Sequence, residues 1–171
     1  MRFSTEKLFR KAHEGREGTL GITHEDTLDS IYWLGRSLYE QGKYTAAEEM
    51  LRKAIGGQEI TLGPAHNDTL DSIFWLGNSP YNQEKYTDAE ELLRKAANGQ
   101  EITLGPSHED TLFSIHWLGR IIYCQGKYKA AERKFRAAYK RQQQTLGHAN
   151  ADTRNFLSWM NNAKAMGRRK Y

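Results

Sequence analysis

Apolar residues recur along this chain at the spacing of an α-helix, in two successive stretches. The first stripe consists of Leu28, Ile31, Leu34, Gly35 and Leu38. At about 100° per residue these positions share one side of a helix, which predicts a helix over residues 25–40. The segment 41–43, Gln-Gly-Lys, interrupts the pattern, and a second stripe that begins at Tyr44 predicts another helix through about residue 57.

This pair of helices, A and then B, repeats every 42 residues. A Thr-Leu-Gly triplet begins at positions 19, 61, 103 and 145, and a tryptophan follows in each copy. The order B, AB, AB, AB, A predicts about eight helices, because the chain starts in a B helix and ends in an A helix. The predicted units are a half repeat over 2–18, full repeats over 19–60, 61–102 and 103–144, and a half repeat with a basic tail over 145–171. Since one pair cannot bury its own apolar face, stacked neighbours must cover it, which makes the chain a single solenoid domain.

The segments between B and A helices carry recognisable stop and start signals. The glycines at 21, 63 and 105 suit the left-handed position after a helix, and the prolines at 64 and 106 prevent continuation. His24, His66 and His108 recur once per repeat, so we interpret them as helix-start residues, and no metal site or other cofactor is expected.

The repeat resembles the tetratricopeptide family. Ile31-x2-Leu34-Gly35-x2-Leu38, followed by Ala47-x3-Leu51-x2-Ala54, matches the family spacing. The 42-residue unit is similar to the longer variety found in kinesin light chains and in NTPase-containing signalling receptors of fungi and bacteria. The resemblance implies an all-α fold, a right-handed α-solenoid of antiparallel helix pairs, whose A helices line a concave groove. It also implies a protein-binding module, such as the sensor portion of a larger signalling receptor.

The recurring tryptophan lies on the outer side of helix A. Trp33 is two residues from Ile31, or about 200° around the helix, so it faces away from the core of its own repeat. In relatives an asparagine at this position can hold the backbone of a ligand, and the indole removes that amide. The predicted groove residues are Trp33, Trp75, Trp117, Trp159, Tyr32, Phe74, His116, Tyr39, Tyr81, Tyr123, Arg36, Arg120, Asp29 and Asp71. Two interpretations stay open: the indoles bind a peptide, or they pack against neighbouring helices and set the curvature.

The leading functional hypothesis is a non-catalytic module that binds a peptide segment of a partner protein in this aromatic groove. No nucleotide-binding or nucleophile motif is present, and the groove carboxylates are not paired for acid–base chemistry, so we do not expect an enzyme. The alternative is a scaffold that forms a homo-oligomer by stacking its unpaired end helices, over 2–15 and 151–166.

The charge distribution and the composition limit the kinds of binding partner and the location that we expect. Residues 19–126 carry a net charge of −8 and residues 127–171 a net charge of +10 within an overall +4. The basic end lacks a base-reading motif, so we interpret it as a solvated helix face and do not expect nucleic-acid binding. No apolar run is long enough to span a membrane, and no secretory signal is evident, which predicts a cytoplasmic protein. Cys124 is interpreted as an incidental thiol.

Pro80 is the clearest departure from the repeat. It occupies the core position held by Leu38 and Ile122. A proline inside a helix removes one backbone hydrogen bond and clashes one turn back. The sequence therefore predicts that this A helix either kinks near residues 78–79 or ends early.

Overall fold

The computed structural model describes the backbone of residues 2–82 and 85–169, and the side chains of residues 6–79 and 85–169. The described residues form eight α-helices and no strand. The helices are α1 (Arg2–Leu20), α2 (Glu25–Glu40), α3 (Tyr44–Thr61), α4 (Asn67–Asn82), α5 (Tyr86–Thr103), α6 (Glu109–Cys124), α7 (Tyr128–Leu146) and α8 (Ala151–Arg169). The chain divides into two compact units, Met1–Lys85 with α1 to α4 and Tyr86–Tyr171 with α5 to α8.

Helix α2 begins and ends where the apolar pattern predicts, whereas the last A helix and the B helices are longer than predicted. Helix α2 covers residues 25–40 as expected, but α3 continues four residues past the predicted end at 57. The reason is Gln58, a polar residue that extends the buried stripe one turn beyond Ala54. The helix stops before Gly63, whose φ of 96° is the left-handed conformation that was predicted there.

Side chains cap the starts of the A helices in both units. Nδ1 of His24, His66 and His108 accepts a hydrogen bond from the backbone N–H two residues ahead, at 3.2 to 3.3 Å. In the last repeat Asn150 takes this place, and its Oδ1 accepts from the N–H of Asp152 at 2.9 Å. These bonds satisfy amide groups that a helix start otherwise leaves open, which agrees with the helix-start interpretation of the histidines.

Helices A and B approach closely at Gly35 of α2 and at Gly119 of α6. A methyl group added to Gly35 would lie 2.9 Å from Cγ of Leu51, and one added to Gly119 would lie 2.6 Å from the ring of Phe135. Leu51 and Phe135 are completely buried. The glycines therefore allow α3 to seat Leu51 against α2, and α7 to seat Phe135 against α6.

Helix α4 does not end at Pro80, because it runs to residue 82 and has the same length as α2 and α6. One of the two predicted outcomes, early termination, is therefore wrong. Upstream of the proline, the Nδ2 of Asn78 donates to the carbonyl of Phe74 at 3.0 Å. The hydroxyl of Ser79 donates to the carbonyl of Trp75 at 3.5 Å.

Several basic residues of α7 and the turn before it form ion pairs within the second unit. Lys127 contacts Glu90 at 2.9 Å and Arg141 contacts Glu101 at 2.7 Å, and Arg136 pairs with Glu132 one turn away. Part of the positive charge predicted for this region is thus met by acidic residues of α5 and α7. None of the helices in the described part of the chain combines the length and apolar character needed to cross a membrane.

Gly119→Ala is expected to lower the free energy of unfolding by roughly 1–3 kcal/mol, because the new methyl group meets the rigid, buried ring of Phe135. Gly56→Ala is the matched control, since that helical glycine has no atom within 4 Å of an added Cβ. The control should gain up to about 1 kcal/mol from helix propensity. Urea denaturation followed by circular dichroism measures both. Equal stabilisation in the two variants would contradict the close approach.

Candidate functional site

In the first unit, an arginine lies between two tryptophans. Trp33 and Arg36 are three residues apart on α2, so both point to the same side of the helix. The guanidinium carbon of Arg36 is 5.1 Å from the ring centre of Trp33 and 4.6 Å from that of Trp75 on α4. A cation over an aromatic face is attracted by the ring electrons. We call this group of Trp33, Arg36 and Trp75 the N-terminal sandwich.

The second unit repeats the arrangement. Arg120 on α6 has its guanidinium carbon 4.2 Å from the ring centre of Trp117 and 5.2 Å from that of Trp159 on α8. We call Trp117, Arg120 and Trp159 the C-terminal sandwich. In each unit the same contact therefore joins two successive A helices, and it uses residues that the sequence places 42 apart.

Further aromatic rings hold each sandwich in place. Phe9 of α1 stacks on Trp33 with ring centres 6.1 Å apart, and Phe135 of α7 stacks on Trp159 at 5.8 Å. Tyrosines add edge contacts: Tyr39 lies 5.3 Å from Trp75, and Tyr123 lies 5.6 Å from Trp159. The indoles are consequently fixed from several sides, and little of their conformational freedom is left to lose on binding.

The predicted groove residues differ in how far a ligand could reach them. Trp33 is 37% exposed, whereas the other three tryptophans are half-buried. Tyr32 and Phe74 are only 7% and 2% exposed, so they support the aromatic surface from behind. Tyr39, Tyr123 and His116 are half-buried, and Tyr81 lies outside the side chains that the structure describes.

The two predicted groove carboxylates lie in different surroundings. Asp71 is half-buried and accepts a hydrogen bond from the hydroxyl of Tyr32. Burial of the phenol, and then the charge of Asp71, raise the pKa of Tyr32 above its ordinary value. Asp29 is exposed, but partial desolvation of its carboxyl and the nearby charge of Asp68 raise its pKa. Both acids lie on A helices, as Trp33 and Trp75 do.

A cavity of about 380 Å³ lies beside the C-terminal sandwich, entirely within the second unit. Its lining comes from α6, α7 and α8 and consists of Glu109, Leu112, Phe113, His116, Trp117, Arg120, Gln142, Asp152, Asn155 and Phe156. A volume of this size lies within the range of small-ligand pockets. Three of the predicted groove residues, His116, Trp117 and Arg120, belong to this lining.

His116 forms part of the aromatic wall of this cavity. Its ring centre is 5.4 Å from that of Phe156 and 6.2 Å from that of Trp159. Burial, and then the positive charge of Arg120, lower the pKa of His116 to about 4, with Asp152 acting weakly in the opposite direction. The imidazole is therefore neutral near pH 7 and acts as an aromatic ring.

Sequence reasoning did not identify several cavity residues. Phe113 is 48% exposed and stands where the earlier repeats have Asp29 and Asp71. Phe156 stands where they have serine, and Gln142 belongs to a B helix that was not considered for the groove. A comparison of each repeat with the next would have found both phenylalanines, because each breaks the 42-residue pattern.

The chemistry available in this region is that of contact and recognition. In the part of the chain that the structure describes, no group of three or more histidine, cysteine or carboxylate side chains could hold a metal ion. What the residues do offer is partly exposed indole and phenyl surface next to guanidinium and carboxylate groups. Such surfaces suit the side chains and backbone of another polypeptide.

Comparison with known families agrees with the helical repeat. Two sequence models described as "Tetratricopeptide repeat" match residues 27–68 and 68–144. The chain is a tetratricopeptide-repeat protein. Repeats of this family generally mediate interactions between proteins. No curated protein is similar enough in sequence to count as a relative.

Solved structures of the same fold extend over nearly the whole tetratricopeptide chain. Two crystal structures of a putative kinesin light chain from Podosopora anserina with nearly identical TPR-like repeats, one of them a substituted form, have TM-scores of 0.88 and 0.86 at 23% identity. The match covers 98% of this chain and 79% or 80% of theirs. BtubC (BKLC) from P. vanneervenii has a TM-score of 0.70 at 16% identity, over 98% of this chain and 70% of that one. The predicted tetratricopeptide α-solenoid fold class is confirmed.

Acidification is expected to destabilise the protein through His116. Above about pH 6.5 the histidine is neutral in both states, whereas between 6.5 and about 4 only the unfolded chain takes up the proton. The free energy of unfolding should therefore fall over this window, by at most about 3 kcal/mol from this group. Denaturant melts at successive pH values measure the effect.

His116→Phe should remove this component, since Phe74 fills the equivalent position in the preceding repeat and is buried there. The difference between wild type and variant isolates His116 from the carboxylates that titrate in the same range. His148→Gln, at an exposed histidine of the same unit, is the control for the removal of a histidine as such. An unchanged pH profile in His116→Phe would contradict the assignment.

Proposed function

We propose that this tetratricopeptide protein is a non-catalytic interaction module that binds a peptide segment of a partner protein at its indole sandwiches. The observation that carries the proposal is the partial exposure of large aromatic rings whose positions are already fixed. Trp33 and Phe113 expose more than a third of their surface, although tryptophan and phenylalanine are residues that folding normally covers.

The charged groups around these rings favour a polypeptide over a purely apolar ligand. Arg36 and Arg120 are held between indoles, and Asp29, Asp71, Glu109 and Asp152 lie on the same A helices as the sandwich residues. A peptide can place apolar side chains on the rings and polar groups on the charges around them. In a larger signalling receptor such a module would be the sensing part. The single cysteine, Cys124, is compatible with a cytoplasmic setting.

Self-assembly through the end helices is the second candidate. The observation that favours it is Leu8 of α1, a large apolar side chain that is 68% exposed. On α8, by comparison, Leu157 and Met160 are half-buried and Ala163 is fully buried. Measurement of the molecular mass over a range of protein concentrations separates the two functions, because a peptide-binding module keeps one mass and an end-stacking scaffold grows.

Peptides selected from a random library on the immobilised protein should depend on the exposed rings. Phe113→Ala and Trp33→Ala are each expected to lower the affinity for the selected peptides about 30-fold. This corresponds to a loss of about 2 kcal/mol in binding free energy, as is typical of a hot-spot residue. The affinities are measured by isothermal titration calorimetry. Circular dichroism verifies that the variants fold, and Phe113 is the safer site because half of its surface is already in solvent.

Ile102→Ala is the matched control for exposed apolar surface, since Ile102 is strongly exposed but belongs to B helix α5. It should change the affinity by less than twofold. Equal losses in Ile102→Ala and Phe113→Ala would place the binding surface elsewhere. Selection of no peptide by the folded protein, together with a mass that grows with concentration, would overturn the proposal in favour of self-assembly.

A further inference from the structure

A polar pair recurs between the B helix of one repeat and the A helix of the next. In the second unit the hydroxyl of Ser114 donates to Oε1 of Gln100 at 2.6 Å. One position of the pair is occupied along the chain by Arg16, Gln58, Gln100 and Gln142, and the other by Ser30, Ser72, Ser114 and Phe156. Arg16 likewise donates to the hydroxyl of Ser30, whereas Oε1 of Gln58 and the hydroxyl of Ser72 make no hydrogen bond to any described residue. The last repeat is therefore the one in which an aromatic ring replaces the serine.

A buried hydrogen-bond acceptor, the side-chain oxygen of Gln142, lies next to the cavity. Gln142 is only 6% exposed and lines the cavity, and its Oε1 makes no hydrogen bond to any described residue. A buried acceptor without a donor normally costs roughly 1–3 kcal/mol. Phe156, which lines the same cavity, cannot supply that donor. A ligand in the cavity could donate this hydrogen bond to Gln142.

The remaining lining residues define the charge of that ligand. Glu109 and Asp152 contribute two carboxylates, and Arg120 contributes one positive charge that is already engaged with Trp117 and Trp159. His116 is neutral near pH 7. The cavity consequently carries a net negative charge, which favours a cation.

The shape of the lining favours a flat cation. Phe113, Trp117 and Phe156 supply aromatic faces and edges, and Trp117 already stacks with a guanidinium, that of Arg120. A guanidinium stacks on aromatic rings and has five N–H donors in one plane. It can therefore donate hydrogen bonds to an amide oxygen and to a carboxylate at the same time. A lysine ammonium is more strongly hydrated and has no flat face.

From these observations we infer that the cavity beside the C-terminal sandwich binds an arginine side chain of the partner peptide, with Gln142 accepting a hydrogen bond from its guanidinium. Glu109 and Asp152 supply the opposite charge, and the aromatic walls cover the flat faces. The inference rests on the proposed peptide-binding function and specifies one residue of the peptide. It also assigns a role to the serine-to-phenylalanine change in the last repeat.

The test uses the 171-residue chain and blocked amino acids, so that it does not depend on a selected peptide. N-acetyl-arginine methylamide, titrated to about 50 mM, should shift the indole N–H signal of Trp117 and the side-chain amide of Gln142 in ¹⁵N-correlated NMR spectra. The expected dissociation constant is about 1–10 mM, as suits a single side chain. The neutral isostere N-acetyl-citrulline methylamide and the corresponding lysine compound should bind at least tenfold more weakly.

Gln142→Leu removes the acceptor with a side chain of similar size, and it should lower the affinity for the arginine compound at least fivefold. The matched control is Gln144→Leu on the same helix, where the side chain is exposed, and it should have no effect. No saturable shift with the arginine compound, equal binding of the citrulline compound, or full binding by folded Gln142→Leu would each overturn the inference.

The outcomes also separate this inference from the proposed function. If library peptides bind and depend on Phe113 but the arginine compound does not bind, the arginine pocket is wrong and the peptide-binding module stands. If the arginine compound binds as expected and the library yields no peptide, the pocket stands and the extended peptide-binding surface is wrong.

Discussion

The architecture of each unit depends on the absence of a side chain where an A helix meets its B helix. At Gly35 and Gly119 there is no room for a Cβ, because Leu51 and Phe135 occupy that space. The tryptophan stands two residues before each of these glycines, about 200° away around the helix. A helix that turns its glycine inward must therefore turn its indole outward. The packing constraint and the candidate binding surface are two sides of one helix.

An outward indole is stabilised by the neighbouring A helix rather than by its own repeat. The arginine three residues later reaches both its own tryptophan and the next one, and each cation–π contact is worth about 0.5–2 kcal/mol depending on desolvation. This contact makes packing and recognition compatible. Rings held by a guanidinium have little freedom to move, and where a ring such as that of Trp33 stays partly exposed it presents a preformed surface.

The sequence was a good guide to whatever is local and periodic, and a poorer one to contacts between repeats. Helix α2 follows from its apolar stripe alone, and the left-handed glycines follow from their position after a helix. The depth of Tyr32 and Phe74 does not follow from a helical wheel, because it is set by how closely the next A helix approaches. For the same reason, the sequence predicts Arg36 as a groove residue but does not predict that it lies between Trp33 and Trp75.

The cavity illustrates a different limit. Phe113, Phe156 and Gln142 do not stand out in their own helices. The two phenylalanines become notable only when they are compared with the aspartates and serines at the same repeat positions. Even then, the position of Gln142 beside Phe156 in the cavity requires the three-dimensional arrangement of α6, α7 and α8. Periodicity predicts a regular repeat, and the proposed arginine pocket lies where Phe113 and Phe156 break that repeat.

Pro80 weakens the last turn of α4 in the first unit. Proline has no N–H, so the carbonyl of Leu76 cannot receive the helical bond that residue 80 would otherwise provide within α4. The last turn of α4 is thus held by fewer backbone bonds than the last turns of α2 and α6. Amide hydrogens near residue 82 should exchange with solvent sooner than those near residues 40 and 124. Local fraying at this point would free the end of α4 while the glycine contact of α2 and α3 stays closed.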